Sequence, residues 1–380
     1  MRLHEFEAVD VFEAAGIPVQ RRGVAETVEE ALRVAAEIGY PVMVKAQVLV
    51  GSRGLAGGVK SASTPEELKA AAGALLGSDI KGLPVRKLLL TQKAEIAQEL
   101  YVGIAVEGYS GRPVIVTSSS GGVHLEETAR TSPDKIVSVP VNPAVGFSTV
   151  QAHALVQNLT LDATLRADWA DVITRLYGVF TQFEALIVEI NPLAVLTDGR
   201  LLAVDAVLEV DDSALSRIKH PLPDRLERIE NSLERKGRGI GVTYVDLEGD
   251  IGLISSGAGL GMASVDIIGK NMKPANFLET GGGITEDLLY KCMELVMSKP
   301  GLRGMLINVY GGINPIHEGA RGVVRYMKEH NVTIPIVAKA LGNHQEETWE
   351  IFQSAGVHVV VNPATEAAVE RLYELVGPGN

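Results

Sequence analysis

Ile251-Gly252-Leu253-Ile254-Ser255-Ser256-Gly257-Ala258-Gly259 is an apolar run of strand length that ends in two serines and two spaced glycines. It reads as a buried strand entering a tight turn and then a helix. The same pattern recurs downstream. Pro274–Leu278 leads to Gly281-Gly282-Gly283, Gly304–Val309 to Gly311-Gly312, Ile334–Ala340 to Gly342-Asn343, and Val357–Val361 to Asn362-Pro363. A helix-length pattern follows each junction. Parallel strands require crossover helices, so five such units predict a parallel, doubly wound α/β sheet. The Gly and Asn clusters all fall at carboxyl ends of strands, the edge where open α/β sheets bind ligands and helix N-termini attract anions.

The first half is organised differently. Leu3–Ala15 is amphipathic and stops at Gly16-Ile17-Pro18, and Thr27–Ile38 is a helix opened by a Thr27-Val28-Glu29-Glu30 capping box. Tyr40–Val50 is a β-rich run broken by Lys45 and Gln47, ending in the glycine cluster 51–58. Thr64–Leu76 reads as helix. Lys87–Leu90, Tyr101–Val106 and Pro113–Ser118 read as strands, and Asp162–Leu186 as mostly helix. Leu186–Ile190 and Leu201–Val207 flank Thr197-Asp198-Gly199-Arg200, and Asp-Gly between apolar runs signals a hairpin. The charged stretch Pro221–Arg238 reads as a linker-like helix. The expected domains are therefore 1–235, mixed α and β, and 236–380, the parallel sheet.

Composition narrows the function. The 380 residues carry a net charge of −12, with 46% hydrophobic and 22% charged positions, which is a globular composition. A net anion is repelled by phosphate backbones, so neither a nucleic-acid partner nor a membrane surface is expected. No signal-length apolar stretch or membrane span is evident, and the single cysteine, Cys292, excludes an intrachain disulfide, which fits a reducing cytoplasm. None of the eight histidines is paired at helical metal spacing.

Glu189, Asn191 and Asp205 are the strongest chemical candidates. Side chains two apart share one face of a strand. With a two-residue loop at Asp198-Gly199 the paired numbers sum to 397, and a slightly longer turn sets Asp205 directly across from Asn191. Hard oxygens converging on one hairpin suit Mg²⁺ completed by nucleotide phosphates; a solvated hairpin end with ordinary polar residues is the alternative. Lys45 ends an apolar strand before a glycine loop that lets backbone amides approach phosphates, and Arg53 adds a guanidinium. The spacing is not that of a P-loop, and a flexible hairpin without ligand fits this stretch equally well. Gly257-Ala258-Gly259-Leu260-Gly261 alone is thin support for a dinucleotide.

Taken together, these segments resemble the β subunit of succinyl-CoA synthetase (succinate–CoA ligase) along essentially the whole chain. The matching stretches are Leu3-His4-Glu5-Phe6; Val44-Lys45-Ala46-Gln47-Val48 with Arg53-Gly54 and Ala56–Lys60; Ile96-Ala97 with Glu99-Leu100-Tyr101; Gly121-Gly122-Val123; Glu189–Leu193; Gly257–Leu260; and Pro274–Leu278 with Gly281–Gly283. The resemblance implies an N-terminal ATP-grasp domain followed by a flavodoxin-like CoA-ligase domain. It implies succinate, CoA and a nucleoside triphosphate (ATP or GTP) as reactants, Mg²⁺ as cofactor, and a place in the tricarboxylic acid cycle. It also implies an α subunit that holds the CoA site and the histidine that becomes phosphorylated. By matching positions, Lys45, Arg53, Gly54 and Glu99 would bind nucleotide, Asn191 and Asp205 would hold Mg²⁺, and Glu189 would face the partner's histidine as the catalytic group. Gln20, near the base, could donate to guanine O6 where ATP-preferring relatives carry a proline.

The resemblance weakens at the acid-binding edge, where Ser256, Gly311, Gly312, Ile313 and Asn314 are the candidate substrate residues. Ser256 replaces the family's Asn, a shorter donor that would admit a bulkier or hydroxylated acid. Asn314-Pro315-Ile316-His317 replaces a basic residue followed by Cys/Ala-Asp, and Lys339-Ala340-Leu341-Gly342-Asn343-His344 replaces an Arg-Leu-x-Gly-Thr/Asn-Asn pattern. Val207 stands for a Lys and Thr91 for a Glu. The helix after Gly311-Gly312-Ile313 would aim its N-terminus at the phosphohistidine, with Pro315 in its first turn. A ligase of the same family for malate or citrate is the alternative, and a nucleotide sensor without turnover is a third reading.

Overall fold

In the computed structural model the chain is described at every residue except 52, 123, 124, 126–129, 160–162 and 379–380. Ser52 of the glycine loop, Val123 of one matching stretch and Asp162 at an expected helix start lie outside the described residues. Two compact units form, Met1–Pro223 and Asp224–Asn380. The division lies before the boundary expected near 235, because the helix Ser232–Gly239 packs with the second unit: Gly237 sits against Tyr244 and Leu295, where a Cβ would meet the Tyr244 side chain at 2.7 Å.

The first unit is built on two antiparallel sheets. After α1 (Glu5–Ala14) come β1 (Arg22–Ala25), α2 (Val28–Ile38), β2 (Val42–Ala46), β3 (Val59–Ala62), α3 (Pro65–Leu75), the short pair β4 (Asp79–Ile80) and β5 (Leu83–Pro84), and β6 (Leu88–Gln92). The order β1-β6-β2-β3 makes a four-stranded sheet. Helices α2 and α3 start at threonine caps, Thr27 and Thr64, whose hydroxyls accept from the backbone amides three residues on. Their apolar stripes, Ala31/Ala35/Ile38 and Leu68/Ala71/Ala72/Leu75, join Val42, Val44, Leu88 and Leu90 in one buried core.

The second sheet of this unit comprises β7 (Ile96–Glu107), β8 (Arg112–Ser118), β9 (Ile136–Pro140), β10 (Ala185–Leu196), β11 (Leu201–Ala203) and β12 (Val207–Val210), ordered β11-β10-β7-β8-β9 with β12 also on β10. Helices α4 (Thr149–Val156) and α5 (Ala163–Gln182) cover one face, with Trp169, Ile173, Leu176 and Phe180 of α5 buried. The helix expected through Leu186 stops earlier, because Glu184 takes a positive φ of 45° and β10 begins at Ala185. Leu193 pairs with Ala203 and Val195 with Leu201, so paired numbers sum to 396. The turn is Thr197-Asp198-Gly199, with Gly199 at φ 88°, the three-residue form that ends in a left-handed glycine.

Leu201–Val207 was expected to be one strand. Instead β11 ends at Ala203 and β12 resumes at Val207, in the same register opposite Glu189. Val204 N still donates to the Pro192 carbonyl at 3.1 Å, but the Val204 carbonyl accepts from Lys45 Nζ at 2.6 Å and Asp205 Oδ1 accepts from its neighbour Ala206 N at 2.8 Å, so regular pairing lapses over these three residues. Extending the register across the gap sets Asp205 opposite Asn191.

In the second unit, α6 (Ser232–Gly239) precedes β13 (Thr243–Asp246), β14 (Ile251–Ser255), α7 (Ala258–Ile268), β15 (Asn276–Glu279), α8 (Glu286–Met297), β16 (Gly304–Gly311), α9 (Ile316–Glu329), β17 (Ile336–Gly342), α10 (Gln345–Ser354), β18 (His358–Val359) and α11 (Thr365–Val376). The five expected strands are present and parallel, in the order β15-β14-β16-β17-β18. Renumbered from β14 this is 2-1-3-4-5, the flavodoxin-like order with its switch point between β14 and β16. The short, polar β13 adds an antiparallel edge that the sequence pattern did not announce. Buried Asn276 spans β14 and β15, accepting from Leu253 N at 3.1 Å and donating to Leu253 O at 2.9 Å. Cys292 is buried in α8, and burial pushes its thiol up to about 12.

Candidate functional site

A cavity of about 800 Å³ opens within the first unit, in the range of pockets that take nucleotide-sized ligands. All eight of its sequence-identified residues line it: Gln20, Lys45, Arg53, Gly54, Glu99, Glu189, Asn191 and Asp205. The structure thus gathers positions up to 185 residues apart in the chain, from Gln20 to Asp205.

The two cations do not stand free. Lys45 Nζ donates to Glu5 Oε1 at 2.8 Å, and Arg53 donates to Glu5 Oε2, to Asp205 Oδ1 at 3.0 Å and to the Ala46 carbonyl at 3.1 Å. Glu5 is the first residue of α1, where helix amides favour a negative charge. It is buried, and burial by itself raises a carboxyl pKa. The Lys45 ammonium and Arg53 guanidinium outweigh that and hold Glu5 at about 2. Asp205 goes the opposite way, to about 6, because burial and the neighbouring Glu5 charge exceed the pull of Arg53 and Lys45. One carboxylate of the network is satisfied and the other is left with surplus negative charge.

That surplus sits where a metal is expected. Asn191 Oδ1 lies across the hairpin from Asp205 and accepts from Gly122 N at 2.7 Å. Asn191 lines the cavity with Glu189, two residues before it on the same face, and the β10–β7 register shifts by one residue just beyond, between Ile190 and Leu193. Two hard oxygens, one of them a carboxylate whose ionisation is disfavoured for want of positive charge, fit Mg²⁺. Glu189, one pleat away, is pushed up by burial, partly countered by a bond from Asn191 and by Arg2. Glu99 is exposed in the cavity, close to Gly122. Gly122 takes a left-handed φ of 77°, which favours glycine, and a Cβ there would also press on the Glu99 carboxylate. Gln20 is buried, and its Nε2 donates to the Gln92 carbonyl at 2.7 Å. That bond uses one of the two N–H donors of the amide considered for base reading.

At the carboxyl edge of the second unit the donors are backbone and neutral side chains. Ser256, just past β14, accepts from Tyr310 N at 2.8 Å and donates to Tyr310 O at 3.1 Å, closing the switch point. Its hydroxyl is therefore engaged with β16. Asn343 donates to the Ile313 carbonyl at 3.1 Å and fixes the Gly311–Asn314 loop. Gly311 is buried, and a Cβ there would strike Ile316 and the Asn314 carbonyl. Ile313 is 90% exposed at the tip. Pro315 occupies the cap position immediately before α9 rather than its first turn, leaving the first amides of α9 without a side-chain cap.

Sequence reasoning missed the role of Glu5, which entered only as part of a matching N-terminal stretch. Its acidic position in a first helical turn was visible, but its partners lie 40 and 48 residues away. It also missed Gln47, whose amide reaches Glu5 at 3.4 Å.

Comparison with known proteins agrees with this architecture. An ATP-grasp domain matches residues 2–195 and a CoA-ligase domain residues 254–372. The class is therefore an ATP-grasp enzyme joined to a CoA-ligase unit. The chain is 41% identical over 350 residues to the ADP-forming succinate–CoA ligase β subunit of Chloroflexus aurantiacus, covering 91% of this chain and 92% of that one. It is 40% identical to the GDP-forming β subunit of Thermus thermophilus, covering 99% of both. The chain belongs to the succinate–CoA ligase β-subunit family. Among solved structures, ATP citrate lyase from Methanothrix soehngenii in complex with citrate and coenzyme A superposes with a TM-score of 0.76 at 19% identity, over 98% of this chain and 99% of that one, which is a likeness of fold. No helix among the described residues is long and apolar enough to cross a membrane.

Proposed function

We propose that this chain is the nucleotide-binding subunit of a cytoplasmic succinate–CoA ligase, acting with an α-type subunit that carries CoA and a phosphorylatable histidine. Family membership supports the reaction class. The observation that carries the site assignment is the convergence of Lys45, Arg53, Asn191, Asp205 and Glu189 on one cavity of an ATP-grasp unit.

Lys45 and Arg53 bind the triphosphate, exchanging part of their contact with Glu5 and Asp205 for phosphate oxygens. Glu5 stays behind them and keeps both cations in place when the nucleotide leaves. Asn191 Oδ1 and the Asp205 carboxylate would hold Mg²⁺, which supplies charge neutralisation on the β- and γ-phosphates. Glu189 accepts the imidazole N–H of the partner's histidine and orients the other ring nitrogen toward the γ-phosphorus; the P–O bond to the nucleoside diphosphate breaks as the P–N bond forms. In the second unit, the uncapped first amides of α9 and the Gly311–Asn314 loop receive phosphate or carboxylate oxygens. Gly54 and Glu99 shape the nucleotide pocket. Relatives forming ADP and GDP stand at nearly equal identity, so the base is assigned by experiment.

Ser256 favours one second reading, a ligase for a bulkier or hydroxylated acid such as malate or citrate. Co-expression with an α-type chain, followed by thioester assay over a panel of succinate, malate and citrate with ATP and GTP, tests both. Succinyl-CoA formation dependent on Mg²⁺ is expected. Silence toward succinate with turnover of another acid decides for the second reading, and nucleotide binding without partner labelling decides against both.

A further inference from the structure

We propose that His317, His344 and Glu347 in the second unit form a binding site for a divalent transition cation of the zinc class. His317 lies in the first turn of α9, and His344 directly precedes α10, whose first turn carries Glu347. Strands β16 and β17, which lead into these helices, are parallel neighbours, so the topology sets the two helix starts side by side. The imidazole centroids are 4.4 Å apart. His344 Nδ1 lies 3.4 Å and His317 Nε2 4.0 Å from the same carboxylate oxygen, Glu347 Oε2. The other oxygen, Oε1, accepts a 2.8 Å bond from Arg321. That bond fixes the carboxylate and leaves Oε2 facing both rings, as supporting partners orient ligands in metal sites.

One ligand atom from each residue lies within 4.8 Å of the other two. Tetrahedral zinc with bonds of roughly 2.0–2.1 Å sets its ligand atoms about 3.4 Å apart. One edge of the triangle already has that length, and another exceeds it by less than an ångström. At 3.4 and 4.0 Å both ring–carboxylate contacts are longer than an ordinary N–H···O hydrogen bond. His317 is moreover largely buried, and its Nδ1 has no hydrogen-bond partner among the described residues. Two imidazoles and one carboxylate suit zinc or cobalt, whereas Mg²⁺ prefers oxygens alone. Three protein ligands leave a fourth position for water or a carboxylate, on the side where His344 and Glu347 are about half exposed. Both histidines lie in the segments that depart from the family pattern, 314–317 and 339–344.

The test is a Co²⁺ titration of the full-length untagged chain in excess Mg²⁺, read by visible absorbance and reversed with Zn²⁺. One tetrahedral cobalt per chain is expected. His344→Asn keeps a residue tolerant of the left-handed backbone at φ 59°, and Glu347→Gln keeps the volume. Each should weaken binding at least about tenfold, while His330→Asn, whose ring stacks on Tyr326, leaves it unchanged. Melting curves confirm that the variants fold, and His344→Asn alone suffices should Glu347→Gln not. No cobalt bound in excess Mg²⁺, or binding equal in the wild type and both site variants, overturns the proposal. None of these readouts depends on the ligase reaction.

Discussion

The cavity of the first unit and the carboxyl edge of the second both suit oxyanions, yet they are made from opposite materials. The cavity holds long charged side chains in a buried network, with Glu5 and Asp205 standing against Lys45 and Arg53. Around Ser256 and the Gly311–Asn314 loop the edge offers backbone amides, glycines and neutral side chains, with Ser256 and Asn343 used to brace its loops. A polyanion of high charge needs fixed cations, and fixed cations need carboxylates to keep them soluble in a protein interior. A smaller anion meeting a helix start needs only room and direction, which glycine gives. The first site is therefore sensitive to charge and the second to shape.

Asp205→Asn should be the most damaging change to activity, lowering nucleotide-dependent labelling of the partner's histidine by at least about a hundredfold. It should not destabilise the fold at neutral pH. The folded pKa of Asp205 is raised to about 6 from 3.8, so its ionisation costs stability that is absent below pH 3.8 and complete above 6. Any advantage of the amide in melting temperature should grow over that interval; solvent at the cavity mouth keeps it small. Lost stability at pH 7 with intact labelling would break the contrast.

Glu5→Gln removes the carboxylate from behind two cations and should cost about 3 kcal/mol at pH 7 in urea unfolding. The folded pKa is depressed to about 2 from 4.5, so its contribution is complete above pH 4.5 and fades as pH falls toward 2. The gap between wild type and variant should close over that window. Charge is not the issue at Gly342, where φ is 119° and a Cβ would run into the backbone of Gly311. Gly342→Ala should cost about 2 kcal/mol with no dependence on pH. The smallest effect is expected from Ser256→Ala, about 1 kcal/mol from the lost bonds to Tyr310, with a raised KM for the acid and unchanged labelling by nucleotide.

The same contrast explains what the sequence revealed. Five parallel strands and their glycine junctions were legible because each βα unit repeats a local pattern, and Ser256, Gly311 and Asn343 follow from position at strand ends. β13 was not, since Thr-Tyr-Val-Asp is too short and too polar to read as a strand, and its place comes only from pairing with β15. In the first unit the hairpin residues were legible through alternation, and the turn proved one residue longer than Asp-Gly alone suggests. Glu5 was hidden because its meaning depends on Lys45 and Arg53 arriving from another sheet and loop. The meeting of His317 with His344 was hidden for a like reason: nothing local in 314–317 refers to 339–344.

Thr197-Asp198-Gly199 lies at the surface and touches no reacting group, yet its length works as a gauge. Deleting or inserting one residue there would slide β11 by one position against β10, turn Asp205 to the opposite face and bring Val204 or Ala206 opposite Asn191. Exposed turns ordinarily tolerate such edits; here the reading frame of the hairpin is also the spacing of the two oxygens proposed to hold the cation. Length variation at this turn should therefore be rarer among working copies of the enzyme than variation in the identity of its residues.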